Sequence, residues 1–329
     1  MRKVSLILCL LFFVIVKAEY KLQGFTISKN YGEQEKLFKF EPDVRVEINA
    51  PSVADFDPQK PTAIMLYALP NGNTIEWTKG KIVVDSVYWR YGIQHIAAQT
   101  RYIRSLNPDY NFVTVYLEAR QRAWKTWRKE TAQSDSLLIK LVDEIREIFR
   151  EVNPYVIFSG HSGGGNFIFG FIENVDEIPN WVERISFIDS NYNWDEKAHG
   201  KKLLKWLKKN KRNKLSIICY DDRNALYNGK HIVSDTGGTG TRSNMMIKYL
   251  RENSKWKWKV EDDTIMTKTR SKNNQVECLW VKNPEQKIYH TVLVRKNGMI
   301  QGGLFGTKYE NKGYVFWEEP VYDNYITAE

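Results

Sequence analysis

The chain has 329 residues, of which 42% are apolar, 13% aromatic and 27% charged, with 49 Lys+Arg against 39 Asp+Glu. This composition excludes disorder, collagen and coiled coil for the chain as a whole, and the length suits one large α/β domain or two smaller ones. The net charge of +10 is a mild basic excess and no nucleic-acid motif accompanies it, so nucleic acid is not an expected partner.

In chain order, Met1-Arg2-Lys3 is a basic start, and Val4 to Val16 is an almost unbroken apolar run. Val16-Lys17-Ala18 then places tolerated residues at a signal-peptidase site, which predicts a signal peptide over residues 1–18, cleaved after Ala18. The run is well short of the roughly 20 residues needed to cross a bilayer, so no stable membrane insertion is expected once the signal is removed. The mature chain, predicted as secreted or periplasmic, loses Arg2, Lys3 and Lys17 and carries +7. It keeps two cysteines, Cys219 and Cys278, and the apolar run around Cys219 favours buried free thiols over a disulfide. The absence of a CxxC or CxxxH cluster leaves no metal to expect, and no organic cofactor is implied.

Residues 19–60 alternate apolar and polar positions, as at Val44, Val46 and Ile48, and predict antiparallel strands. From residue 61 apolar strand runs alternate with amphipathic segments. Strands are predicted at Thr62 to Leu69, Asn111 to Leu117, Tyr155 to Ser159, Ile185 to Ile188, Leu215 to Tyr220 and Val276 to Val281. Helices are predicted at Ile93 to Leu106, Leu137 to Val152, Asn166 to Glu173, Ala198 to Lys209 and Met245 to Arg251. Pro154 stops the second of these. Repeated strand–helix units with continuous apolar strands define a mostly parallel, doubly wound α/β sheet, preceded by the antiparallel strand region. A single catalytic domain over 19–329 is expected, with residues 295–329 as a C-terminal extension of no clear period. The Gly- and Thr-rich stretch Ser234 to Asn244 reads as a flexible surface loop.

Gly160-His161-Ser162-Gly163-Gly164 satisfies G-x-S-x-G between a strand and a helix, the setting a nucleophile elbow requires. Glycines at the flanking positions remove side chains that would strike the adjoining elements, so Ser162 Oγ can project above the carboxyl edge of the sheet. The helix N-terminus below adds a positive dipole. Over residues 61–294 the chain resembles the α/β-hydrolase superfamily, in particular esterases and lipases with a GHSxGG elbow. That resemblance implies a Ser-His-Asp triad in the chain order serine, acid, histidine.

A serine hydroxyl needs a base, and histidine is the side chain able to take and return a proton near neutrality. Of five histidines, His161 neighbours the serine, His95 precedes the elbow, and His199 and His231 lie in polar stretches read as exposed. His290 follows the last predicted strand and matches the family's place for the base. For the acid, two strand ends qualify. The family position favours the pair Asp221-Asp222, with Asp222 chosen, and Asp221 and Asp189 are the alternatives; each also reads as a turn or helix cap. The oxyanion hole is expected from Gly163 N–H and from the loop Tyr67 to Trp77, where Asn71 or Leu69 donates because Pro70 cannot. This loop lacks the family's HG dipeptide and also reads as a β-turn.

Trp77, Trp89, Trp124, Trp127 and Trp194 fall near the carboxyl edge, where they either stack on a substrate ring or pack the core. Arg120 and Arg122 read as an anion contact or as solvated surface. The lysine-rich segment Lys201 to Lys214 reads as the solvated face of an outer helix, with contact to an anionic polymer or envelope as the alternative. The expected activity is that of an exported serine hydrolase acting on carboxylic esters of small molecules or polysaccharides through an acyl-enzyme. The alternatives are an exported serine peptidase or amidase, and a non-catalytic, hydrolase-like glycan-binding protein. The sequence does not fix the oligomeric state.

Overall fold

The structure, a computed structural model, describes residues 19–84, 92–106, 109–234 and 236–328. The predicted signal peptide and Trp89 lie outside them. Strands β1 (Thr26–Ile27), β2 (Glu33–Phe40) and β3 (Val44–Ser52) pair antiparallel at one edge of the sheet. The centre is built from β4 (Thr62–Ala68), β5 (Asn111–Ala119), β6 (Tyr155–His161), β7 (Val182–Ile188) and β8 (Lys214–Tyr220), parallel to one another. A separate two-stranded hairpin, β9 (Leu226–Tyr227) and β10 (Lys230–His231), follows β8. Strands β11 (Trp258–Asp262), β12 (Met266–Ser271) and β13 (Val276–Val281) then form a meander whose last strand joins β8 in parallel. The order across the sheet is β1-β2-β3-β5-β4-β6-β7-β8-β13-β12-β11.

Strands β4, β5 and β8 are buried along their whole length, because helices cover both faces. On one face lie α3 (Trp124–Glu130), α4 (Ser134–Ile148), α5 (Gly165–Asn174), α6 (Lys201–Lys209) and α7 (Gly238–Asn253). On the other lie α1 (Ile75–Lys79), α2 (Ile96–Leu106) and α8 (Met299–Leu304). Helix α4 shows how sequence becomes packing: Leu138, Leu141, Val142 and Ile145 recur at helical spacing and all are buried. Helix α6 does the same with Leu203, Leu204, Trp206 and Leu207, while Lys205 and Lys209 reach Glu177 on the solvent side.

Two expectations change, and one pair of alternatives is decided. Ser234 to Asn244 is not a loop throughout, since α7 begins at Gly238 and carries Thr239 and Gly240 into buried positions. The meander adds two antiparallel strands, β11 and β12, whose polar sequences gave no apolar run. Trp124, Trp127 and Trp194 are core residues, 1–2% exposed, and do not line an approach. The segment 295–329 packs into the second face of the sheet through Met299, Leu304, Tyr314, Phe316 and Tyr322. Both cysteines are buried and free.

Candidate active site

Ser162 sits at the carboxyl end of β6 with φ of +54°, a left-handed conformation that costs a side-chain-bearing residue energy and is kept where the surroundings impose it. The chain then turns through a short 3-10 segment into α5. The glycines permit very close approach: a Cβ on Gly163 would lie 1.9 Å from Asn71 Oδ1, and one on Gly164 would lie 2.1 Å from the Ala68 carbonyl oxygen. The elbow is thus pressed against the loop that follows β4.

That loop turns at Pro70-Asn71-Gly72-Asn73, with Asn73 N–H donating to Pro70 O over 3.3 Å. Leu69 N–H donates to Leu117 O and Gly72 N–H to Arg122 O, so these two main-chain donors are occupied. The Asn71 side chain meanwhile lies directly over Gly163. Of the two residues expected to complete an oxyanion hole from this loop, Leu69 has its N–H engaged by Leu117 O, and Asn71 lies against the elbow with its side-chain oxygen nearest Gly163. Arg122 lies beside this turn, its guanidinium 5.7 Å from the Trp77 ring centre, while Arg120 pairs with Asp43.

His290 lies in the turn after β13, and its Nδ1 is 2.5 Å from Asp189 Oδ2. Asp189 ends β7 with φ of +46° and is 1% exposed. This corrects the expectation that placed Asp222 against the histidine. Asp222 instead accepts from Thr239 N–H at 2.6 Å and Gly240 N–H at 3.3 Å, where its charge meets the positive end of α7. Asp221 accepts from Arg223 Nε at 2.9 Å and Asn224 Nδ2 at 3.0 Å, the local turn role that short carboxylates commonly take. Thr239 stands between the two buried carboxylates: its hydroxyl donates to Asp189 Oδ1 and lies 3.2 Å from Asp222 Oδ2. Burial first, and the charge of Asp189 second, push the Asp222 carboxyl up to about 6.

The elbow and the histidine loop meet through His161. Its Nε2 is 2.9 Å from the main-chain oxygen of His290, and the two imidazole rings are 4.4 Å apart. A carbonyl only accepts, so Nε2 carries the proton, and Nδ1 accepts from Gln94 Nε2 at 3.0 Å. Gln94 Oε1 in turn accepts from Tyr67 Oη at 3.0 Å. Burial, with the neighbouring His290 second, holds His161 well below the usual histidine range, so it stays neutral and keeps this tautomer. No hydrogen bond joins Ser162 Oγ to His290 among the described residues. Such bonds are often long until substrate is bound.

Sequence reasoning missed His161 as a structural link and Thr239 altogether. It also placed His199 at the surface, whereas that residue is fully buried and bonded to Glu173 Oε1 at 2.9 Å. A histidine inside the elbow motif was a visible signal. A threonine in a glycine-rich tract was not.

A strained serine between β6 and α5, followed along the chain by an aspartate and a histidine that meet at the carboxyl edge of a mostly parallel sheet, defines the class: the fold is that of the α/β-hydrolases. No known protein family matches the sequence, and no curated protein matches it. Among solved structures, a thermostable esterase aligns at 13% identity and a TM-score of 0.47, over 83% of this chain and 60% of that one, so the chain spans less than two thirds of that protein. An acetyl xylan esterase from Aspergillus awamori aligns at 9% identity and a TM-score of 0.43, over 75% of this chain and 92% of that one. A glucuronoyl esterase from Solibacter usitatus aligns at 10% and 0.42, over 80% of each chain. Likeness at this level carries no argument about activity, which has to come from the chain's own side chains. Among the described residues no cluster of His, Cys, Asp or Glu has metal-binding form, and no helix is long and apolar enough to cross a membrane.

Proposed function

We propose that the protein is an exported serine hydrolase that cleaves carboxylic esters carried by small molecules or polysaccharides. The observation that supports this most directly is the Asp189–His290 pair, with the His290 main chain held by His161, the residue that adjoins Ser162. Ser162 Oγ attacks the ester carbonyl as His290 Nε2 takes its proton, and Asp189 holds the imidazole by Nδ1–H and stabilises the imidazolium. Gly163 N–H and Asn71 face the oxyanion. His290 then gives its proton to the departing alkoxide, the alcohol leaves, and an acyl-serine remains. Water, deprotonated by His290, attacks the acyl carbon, and collapse of the second tetrahedral intermediate releases the acid and restores Ser162. The basic start and apolar run over residues 1–18 support export.

A fluorophosphonate probe tests the reading. It is expected to label the wild-type protein and not Ser162→Ala, and turnover of p-nitrophenyl acetate is expected to fall at least about 10³-fold in that variant. A folded wild type that takes no label points to the non-catalytic, glycan-binding alternative. Faster cleavage of peptide anilides than of esters points to the amidase. A panel of acetylated and feruloylated glycans then narrows the substrate.

A further inference from the structure

The Thr239 hydroxyl has one proton and two carboxylate neighbours. That proton serves one carboxylate at a time, and when it serves Asp189 Oδ1 an oxygen lone pair is left facing Asp222 Oδ2 at 3.2 Å. Two acceptors at that distance repel unless one carries a proton, and among the described residues the Asp222 carboxyl is placed to carry it. We propose that Asp222 and Thr239 are positioning residues for His290: a hydrogen-bond chain from Asp222 through Thr239 to Asp189 sets how strongly Asp189 holds the imidazole. This rests on the assignment of His290 as the base.

When Asp222 carries its proton, its O–H donates to Thr239 Oγ1, whose own O–H donates to Asp189 Oδ1, and the second oxygen of Asp189 accepts from His290. With the proton gone, the hydroxyl is contested and a second negative charge stands behind Asp189. An added anion behind Asp189 strengthens the hold on the imidazole N–H that Asp189 accepts. The crossover falls where Asp222 titrates, about 6. The groups facing this cluster are Asp189 from the end of β7, Tyr192 from the turn after it, Tyr220 at the end of β8, Asp221 with its partner Arg223, the N–H groups of Thr239 and Gly240 at the start of α7, and His290. Two of these contacts, the α7 N–H groups, hold Asp222 in place in both states.

The test follows the His290 imidazole by nitrogen-correlated NMR across pH 4 to 9 in the full chain, beside pH profiles of kcat/KM with p-nitrophenyl acetate. Asp222→Asn removes the charge, and because its amide oxygen takes the Oδ2 place that accepts from Thr239 N–H, no donor toward Thr239 Oγ1 remains. It is expected to lower the His290 titration and the acid limb of kcat/KM together, by about 0.5 to 1 unit. Thr239→Val is expected to lower kcat with KM little changed, and Thr239→Ser to restore it. An imidazole that titrates identically in wild type and Asp222→Asn overturns the proposal, as does a Thr239→Val variant with wild-type kcat. Because the NMR titration needs no turnover, a wild type inactive on every ester sinks the esterase reading while this proposal is still decided by the imidazole.

Discussion

Two carboxylate centres are buried at opposite edges of the same sheet, and they are stabilised in opposite ways. At the start of β2, Glu33 accepts from Arg101 Nε and Nη2, the latter at 2.7 Å, and from Arg104 Nη1 at 2.7 Å, beside a cavity of about 360 Å³. Burial pushes this carboxyl up, yet Arg104 and Arg101 outweigh it and hold it below the ordinary range. At the other edge Asp189 and Asp222 share a hydroxyl, with two main-chain N–H groups and an imidazole as further donors, and Asp222 is driven up. The first centre is an ion pair at rest, joining α2 to the antiparallel strands. The second keeps like charges close, a costly arrangement that persists at functional sites.

Breaking each centre separates the two roles. The largest expected effect is on catalysis: Asp189→Asn should cut kcat by about 10⁴-fold, the scale known for amidation of a triad aspartate, with melting temperature little changed. Glu33→Gln should do the reverse, costing about 3–5 kcal/mol in denaturant unfolding by stranding two guanidiniums while kcat stays at the wild-type value. Asp222→Asn comes next, and its sign depends on pH. The folded-state pKa is raised from 3.8 to about 6, so the native state is favoured below 3.8 and loses that advantage as pH rises through 6. The variant should therefore gain up to about 3 kcal/mol at pH 8 and almost nothing at pH 3. For Glu33 the sign is opposite: its contribution is present above the usual glutamate range and disappears as pH falls through the lowered folded value. The smallest effect is expected for His161→Phe, about tenfold in kcat, since the ring fills the space but no longer fixes the His290 main chain. A wild-type rate there shows that the His161 link does not order the loop.

The elbow was legible because its chemistry is local: a strand, a glycine-flanked serine and a helix follow one another between Tyr155 and Asn174. The parallel core was legible because strands covered on both faces must be apolar throughout. The acid was not, because Asp189 and Asp222 each end a strand and only the side to which the chain turns decides which one meets His290. Thr239 was hidden for a different reason. Gly238, Thr239 and Gly240 are poor helix formers, yet α7 starts there because Gly240 packs so tightly against β8 that a Cβ would lie 2.4 Å from the Tyr220 oxygen. Tertiary packing overrides propensity, and a sequence window does not contain the packing partner. Strands β11 and β12 escaped notice because an edge hairpin lined with lysine and threonine has no apolar run to detect.

The segment that seals the second face has a consequence for biogenesis. Arg101 on α2 donates to the carbonyl of Tyr325 across 224 positions of chain, and Tyr314, Phe316 and Tyr322 complete the apolar layer over strands made far earlier. That layer stays open on the ribosome until those aromatics have been synthesised, so closure of this face belongs to the end of translation or after it. Nascent chains arrested before Tyr314 should leave α2 open to protease, whereas chains released after Tyr325 should protect it.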